Sequence, residues 1–138
     1  MKKIDKKVTT TTDTKVKSVV PPTMKTVRFL NKNIKISPRK LRLLATTIKK
    51  LKPSLALVQL KFINSLSARV LHQAVQSVIA DAQNNHQLNP DTLVFDQIMV
   101  DHGPKFKRMD KSHSSRFARG LIQKRHSRLL ISVKGSLK

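Results

Sequence analysis

LVFDQIMVDHGPKFKRMDKSHSSRFARGLIQKRHSRLLISV, residues 93–133, opens and closes on β-rich runs. In Leu93–Val100 the residues Val94, Ile98 and Val100 are expected on an inner face, and in Leu129–Val133 the alternation of Leu129, Ile131 and Val133 gives a second apolar face. Two such runs predict an antiparallel pair, with roughly residues 103–127 as the connection. Connections that long without structure of their own are uncommon in compact domains unless they are functional. If Lys105–Met109 and Leu121–Arg125 prolong the two strands outward, each arm of about ten residues reaches roughly 30 Å at about 3.3 Å per residue. An isolated two-stranded ribbon is marginal in water. A ribbon this basic, with few apolar residues to bury, makes sense when a surrounding polyanion holds it.

The charge of the whole chain points the same way. It carries 29 Lys and Arg against 7 acids, all of them Asp, for a formal net charge of +22 on 138 residues. Asp81, Asp91, Asp96 and Asp101 fall in a window that has no Lys or Arg, whereas Lys105–Arg128 holds Lys105, Lys107, Arg108, Lys111, Arg116, Arg119, Lys124, Arg125 and Arg128 with the single acid Asp110. One face therefore meets a polyanion and another does not. So large a charge repels itself unless a partner neutralises it, and regularly spaced phosphate rewards each cation with counterion release. Nucleic acid is the expected partner, ahead of a membrane surface. With five Phe, no Tyr and no Trp, base stacking has little to work with, and contacts to backbone and shape are expected to dominate. The absence of cysteine excludes disulfides, thiolate metal sites and cysteine nucleophiles. No apolar run approaches the roughly 20 residues needed to cross a bilayer, and residues 1–7 lead into threonines rather than the apolar core of a signal peptide.

Residues 1–24, rich in Lys and Thr and ending near Pro21-Pro22, show no trustworthy period and are expected to be a basic extension laid on a large assembly. Residues 25–138 are expected to form one domain. Alternation around Ile34 and Ile36 suggests a strand between Lys25 and Ile36. Ser37 and Pro38 predict a helix start, the hydroxyl as N-cap and the proline at the first helical position, and Leu41, Leu44, Ala45 and Ile48 form its apolar stripe. Pro53-Ser54 begins a second helix to Phe62, with Ala56, Leu57 and Leu60 on one side. A third helix spans about Ser65 to His86, where Leu66, Val70, Ala74, Val78 and Ala82 step by four and Leu71, Val75 and Ile79 widen the stripe.

Particular residues also admit other chemistries. His72, His86, His102, His113 and His126 have no metal-type spacing and there is no Glu, so solvated or RNA-facing histidines are the plainer reading. Asp101-His102 could serve as the acid–base pair of a small basic ribonuclease, but neighbours on a strand point to opposite faces. The four Asp of the acidic window lack loop-type ligand spacing and fit a solubilising surface better than a metal cluster. On the first helix Arg39, Lys40 and Arg42 could be an ordinary solvated face. Without any Glu for pairs four residues apart, however, they have no partner within that helix. A free protein that compacts nucleic acid is the alternative to a fixed ribonucleoprotein component.

Taken together, the motifs resemble the bacterial-type large-subunit ribosomal protein L-twenty-two family. Ile36-Ser37-Pro38-Arg39-Lys40 with Arg42-Leu43 resembles the family's opening helix, and Ala56-Leu57 with Leu60-Lys61-Phe62 its second. Ser77-Val78-Ile79-Ala80-Asp81-Ala82 with Asn85-His86 resembles the end of its long helix. Val100-Asp101, Gly103-Pro104 and Lys107-Arg108 resemble the strand entering its hairpin, and Lys124-Arg125 the exit. Order and spacing match from about residue 30 to 134.

The resemblance implies an α+β fold, three helices packed on a three-stranded antiparallel sheet with a long protruding β-hairpin. It implies a structural, non-enzymatic constituent of the large ribosomal subunit, without cofactor or metal, that binds large-subunit ribosomal RNA and serves translation. The hairpin would help line the peptide exit tunnel. Its neighbours would be other large-subunit proteins, including L-four near the constriction, and the nascent peptide in transit, with no membrane. By this carry-over Arg39, Lys40 and Arg42 would meet RNA from the first helix. Lys105, Lys107, Arg108, Arg116, Arg119, Lys124, Arg125 and Arg128 would do so from the hairpin. The tip, facing the tunnel, would comprise Lys111, Ser112, His113, Ser114, Ser115, Arg116 and Phe117. The sequence departs from the family at Met109–Gly120, which lacks the usual Pro-Arg-Ala and Gly-Arg run and is about two residues longer than in common members. Gln87 stands where a helix-ending Gly is usual, with Asn85 as the expected left-handed cap. This divergence, with Lys and Asn richness, suggests an organelle, mitochondrion or plastid, or a reduced AT-rich genome. The start at Met1 favours synthesis inside the organelle or in a bacterium, the organelle being preferred to a bacterial cytoplasm.

Overall fold

The computed structural model describes residues 24–110 and 120–137. The expected extension and the expected tip residues Lys111, Ser112, His113, Ser114, Ser115, Arg116 and Phe117, with Arg119, lie outside them. In chain order the elements are β1 (Met24–Ile34), α1 (Pro38–Ile48), α2 (Pro53–Phe62), α3 (Leu66–Asn84), a single 3₁₀ turn at Pro90–Thr92, β2 (Val94–Met109) and β3 (Leu121–Ser136). The sheet has the order β1-β3-β2, with both neighbours antiparallel to β3. The fold is α+β, as the resemblance implies.

The central place of β3 follows from its alternation. Leu129, Ile131 and Val133 are fully buried, and they face Asn31, Phe29 and Val27 of β1 and Val100, Ile98 and Phe95 of β2. Each outer strand meets this face only by breaking step once. In β2 the register shifts between Phe95 and Gln97, so Phe95 and Val100, five positions apart, are both buried. One extra residue in a strand reverses which side chains face the core. Val94 is therefore 53% exposed where uninterrupted alternation places it inside, and Phe95 takes its place at 6%. In β1 the shift between Asn31 and Ile34 likewise lets Val27 and Ile34 share the inner side.

The helices close the core. On α1 the residues Leu41, Ala45 and Ile48 are buried, with Leu44 packed at the margin, and the helix lies against β2 and α3. Ser37 does occupy the N-cap position with Pro38 next, but its hydroxyl makes no capping bond. Its backbone carbonyl instead accepts from the Lys40 and Leu41 N–H groups at 3.1 and 3.5 Å. On α2, Pro53, Ala56 and Leu60 are buried, and the helix packs chiefly on α3. Among these three helices a side-chain cap is made by Ser65, whose Oγ accepts from the Ala68 N–H at 3.1 Å. From there Ala68, Leu71, Ala74, Val75, Val78 and Ala82 form the buried stripe of α3. Leu66 is 64% exposed, because the small Ser67 and Ala68 turn inward in the first turn. Burying a side chain the size of Leu41, Leu71 or Ile48 contributes about 1.5–3 kcal/mol each.

Two backbone positions are constrained by shape. Asn85, expected to take the left-handed cap, is right-handed at φ −92°. Gln87 takes that role at φ 53°, and the Leu88 N–H then reaches the Ala82 carbonyl at 2.9 Å, which delivers the fully buried Leu88 to the core. Further on, β2 breaks register with β3 between His102 and Lys105. There the Gly103 backbone approaches so closely that a Cβ would lie 2.9 Å from the His126 carbonyl carbon and the Ser127 nitrogen.

Two stability changes are expected from these constraints, both read from urea unfolding of the isolated chain. Gln87→Gly should stabilise it by about 0.5–1 kcal/mol, the left-handed strain relieved less the freedom glycine adds to the unfolded chain. Gly103→Ala should destabilise it by about 1–3 kcal/mol, because the atoms it strikes are backbone and the strands must part. Gly120→Ala is the control, since the nearest atom its Cβ would meet among the described residues is the Asp110 Cβ, at 3.3 Å.

Candidate nucleic-acid interface

Among the described residues β1 pairs no further than Ile34↔Ser127, and past that point the sheet continues as a ribbon of β2 and β3. Its register runs Lys105↔Arg125, Phe106↔Lys124, Lys107↔Gln123, Arg108↔Ile122 and Met109↔Leu121. The Asp110 N–H then donates to the Gly120 carbonyl at 2.9 Å. The arms therefore pair outward over the residues proposed from sequence. Side chains alternate across a pleat, so Lys105, Lys107 and Arg125 share one face while Arg108 and Lys124 share the other. The ribbon is cationic on both sides.

Its electrostatics do not favour the free state. Lys105 and Arg125 stand directly opposite each other, and like charges in that position destabilise a strand pair. Phe106, Met109 and Leu121 are more than half exposed, so little apolar burial offsets the repulsion. One contact inside the ribbon comes from Phe106, whose ring meets the His126 imidazole edge to face, with centroids 5.0 Å apart and planes at 78°. Such a pair contributes about 0.5–1.5 kcal/mol beyond its buried area. Where Gly103 presses on this strand, His126 Nδ1 and Ser127 Oγ are buried without a hydrogen-bond partner.

Of the other cations selected from sequence, Arg116 and Arg119 lie outside the described residues, and Arg42 and Arg128 sit near the root of the ribbon. Arg128 is exposed on β3, opposite Asp101. Arg39 and Lys40 are exposed in the first turn of α1. Arg42 is exposed as well, but its Nε donates to the Val100 carbonyl at 3.0 Å and so ties α1 to β2 where the ribbon begins. No periodicity signals that bond or the Gly103 approach, because each joins segments far apart in sequence. The Phe106–His126 contact has a trace in sequence, as two ring-bearing residues on the predicted arms.

Of the acids, Asp110 closes the described end of the ribbon and Asp101 faces Arg128 at its root, while Asp81, Asp91 and Asp96 lie elsewhere. Asp96 sits near the start of β2, at the far end of that strand from the ribbon, and pairs with Lys134 at 2.7 Å. Asp91 belongs to the 3₁₀ turn just before it. Asp81 accepts from the Asn85 amide near the end of α3. Asp101 and His102 are both exposed, at consecutive positions of β2. Among the described residues no group of three His, Cys, Asp or Glu is placed to hold a metal ion. No helix among them is long and apolar enough to cross a membrane.

Comparison with known proteins matches this arrangement to one family. The pattern of the family described as ribosomal protein L22p/L17e covers residues 29–134. The protein named large ribosomal subunit protein uL22 of Petrotoga mobilis is 40% identical over 108 residues, 78% of this chain and 70% of that relative. The uL22 of Rubrobacter xylanophilus is 37% identical over 108 residues, 78% of this chain and 83% of its own. That of Rickettsia prowazekii is 39% identical over 102 residues, 74% of this chain and 84% of its own. The match begins inside β1, takes in all three helices and ends inside β3, and the chain belongs to the ribosomal protein L22p/L17e family.

Proposed function

We propose that this chain is a structural constituent of the large ribosomal subunit, its body seated on the subunit and its β2–β3 ribbon threaded through large-subunit ribosomal RNA. The observation that carries this reading is the ribbon's charge. Lys105, Lys107, Arg108, Lys124 and Arg125 crowd two strands with two of them directly opposed, an arrangement that becomes favourable once phosphates surround it. Family membership supports the same assignment. Arg39 and Lys40 extend the cationic surface onto α1, and Arg128 carries it to the root of the ribbon. Arg42 couples the two parts, one donor holding Val100 and the rest of its guanidinium available to phosphate.

In this reading the chain neutralises and positions RNA and catalyses nothing. The ribbon would help line the peptide exit tunnel, with protein L-four and the nascent peptide as neighbours of the expected tip residues Lys111–Phe117, which lie outside the described residues. The ribosome is of bacterial type. The Lys- and Asn-rich composition favours an organelle over a bacterial cytoplasm.

Replacing Lys107, Arg108, Lys124 and Arg125 together by Ala tests the ribbon. Phosphate contacts position without specifying sequence, so binding to large-subunit RNA should weaken uniformly. Its logarithmic salt slope should shrink by roughly three to four if each cation meets one phosphate. Recovery of the variant in gradient-purified large subunits, counted per subunit after a high-salt wash, should fall well below one copy. Undiminished incorporation would remove the ribbon from the interface, and binding to duplex DNA with no fixed stoichiometry would favour a compacting protein instead.

A further inference from the structure

The chain reversal between α2 and α3 forms a groove that the ribbon does not use. Phe62, the last residue of α2, lines it at 82% exposed. Leu60 lies two residues earlier, on nearly the opposite side of the helix, and is 2% exposed at the groove's floor. The turn that follows is fixed. Ile63 is extended at φ −83°, ψ 110°, the Ser65 N–H donates to its carbonyl at 2.9 Å, and Ser65 caps α3 through Ala68. This short reversal sets Arg69, in the first turns of α3, across the groove from the end of α2. Lys61, Ile63, Asn64 and His72 complete the lining.

The chemistry of that lining is a bare aromatic ring and an apolar side chain, a half-buried imidazole at His72, an amide with both donor and acceptor, and two cations. No acid occurs anywhere between residues 14 and 80, so this stretch of chain supplies no carboxylate to the cations. A purely apolar protein segment would suit Phe62 but leave Lys61 and Arg69 uncompensated. A nucleotide suits both, because a base offers a flat face to the ring while its phosphates meet the cations. We propose that the α2–α3 groove takes a single unstacked nucleotide of the large-subunit RNA, its base on Phe62, its phosphates on Lys61 and Arg69, and Asn64 within reach of the base edge. The proposal rests on the RNA-binding reading above and adds a base-contacting site to what is otherwise a phosphate-binding protein. It also gives one of the few aromatic side chains of this chain a role outside the core.

Ultraviolet irradiation of assembled large subunits tests it, because zero-length crosslinking requires the base to touch the ring. Trypsin cuts after Lys61 and Arg69, so Phe62 is recovered on the peptide of residues 62–69. The expected result is a nucleotide adduct on Phe62 that maps to one RNA position. In subunits carrying Phe62→Leu, which leaves an exposed apolar side chain without a ring, the adduct should vanish. That one nucleotide should become reactive to base-specific probes, and affinity for purified large-subunit RNA should drop about tenfold, the scale of one lost base–ring stack. Adducts on the ribbon peptides serve as the internal reference. If they form while Phe62 carries none, the groove proposal falls and the ribbon reading stands; if neither forms, both fall. A crosslink from residues 62–69 to a peptide of a neighbouring protein would assign the groove, together with the exposed Leu55 and Val58 of α2, to protein docking and overturn the proposal.

Discussion

The inner face of β3 is the constraint to which the rest of the body conforms. Leu129, Ile131 and Val133 are fully buried, and a strand paired on both edges cannot slip by one residue without turning that whole set outward. The outer strands therefore adjust to it. The bulge near Asp96 and the irregularity before Ile34 each insert one residue so that Phe95, Val100, Val27 and Ile34 all meet the same core. Helices α1 and α3 then cover that face, and α2 completes the layer by packing on α3. The same strand, followed the other way, leaves the body at Ser127 and becomes one arm of the ribbon. One continuous strand thus joins the part that folds by burying apolar surface to the part that must be held from outside.

That junction is built tightly. Gly103 lets the backbones of β2 and β3 approach closer than any side chain permits, Arg42 ties α1 to the Val100 carbonyl, and Phe106 leans on His126 just beyond. Distal to it the pairing is kept by ladder bonds while the charges oppose each other. The fold also separates its charges. The acids Asp91 and Asp96 sit where β2 begins, and the cations concentrate where it leaves the body. That end would attract a polyanion, and the cations of α1 continue the ribbon's positive field onto the body. Within that pattern the α2–α3 groove differs in kind, since it adds a flat apolar surface to the cations.

Much of this was legible in residue order because its causes are local. The three helices follow from apolar spacing of three and four, with proline at the starts of the first two and Ser65 at the start of the third. The Leu129, Ile131 and Val133 alternation names the central strand, and the run of cations in Lys105–Arg128 marks the ribbon without reference to anything else in the chain. The motifs around Ser37-Pro38, Ser77–Ala82 and Gly103-Pro104 resemble one family, and its pattern matches over residues 29–134. The order of cations along the ribbon already placed Lys105, Lys107, Arg108, Lys124 and Arg125 on its arms.

What only the tertiary structure decided is non-local. Whether Val94 or Phe95 faces the core depends on a bulge, and a bulge is a compromise between two strands that neither sequence announces. The left-handed turn fell to Gln87 rather than Asn85 because Leu88 had to reach the core, so packing overrode the local preference of asparagine for that conformation. Arg42, exposed by spacing alone, is committed in part to a carbonyl 58 positions away. Phe62, which sequence places at the end of an apolar helix, is left in the open because Ala56 and Leu60 take the inner side. Sequence determined the elements and the sign of the partner, since propensity and charge are properties of each segment; the facing of side chains and the shape of the sites waited on contacts between segments, which exist only once the chain has folded.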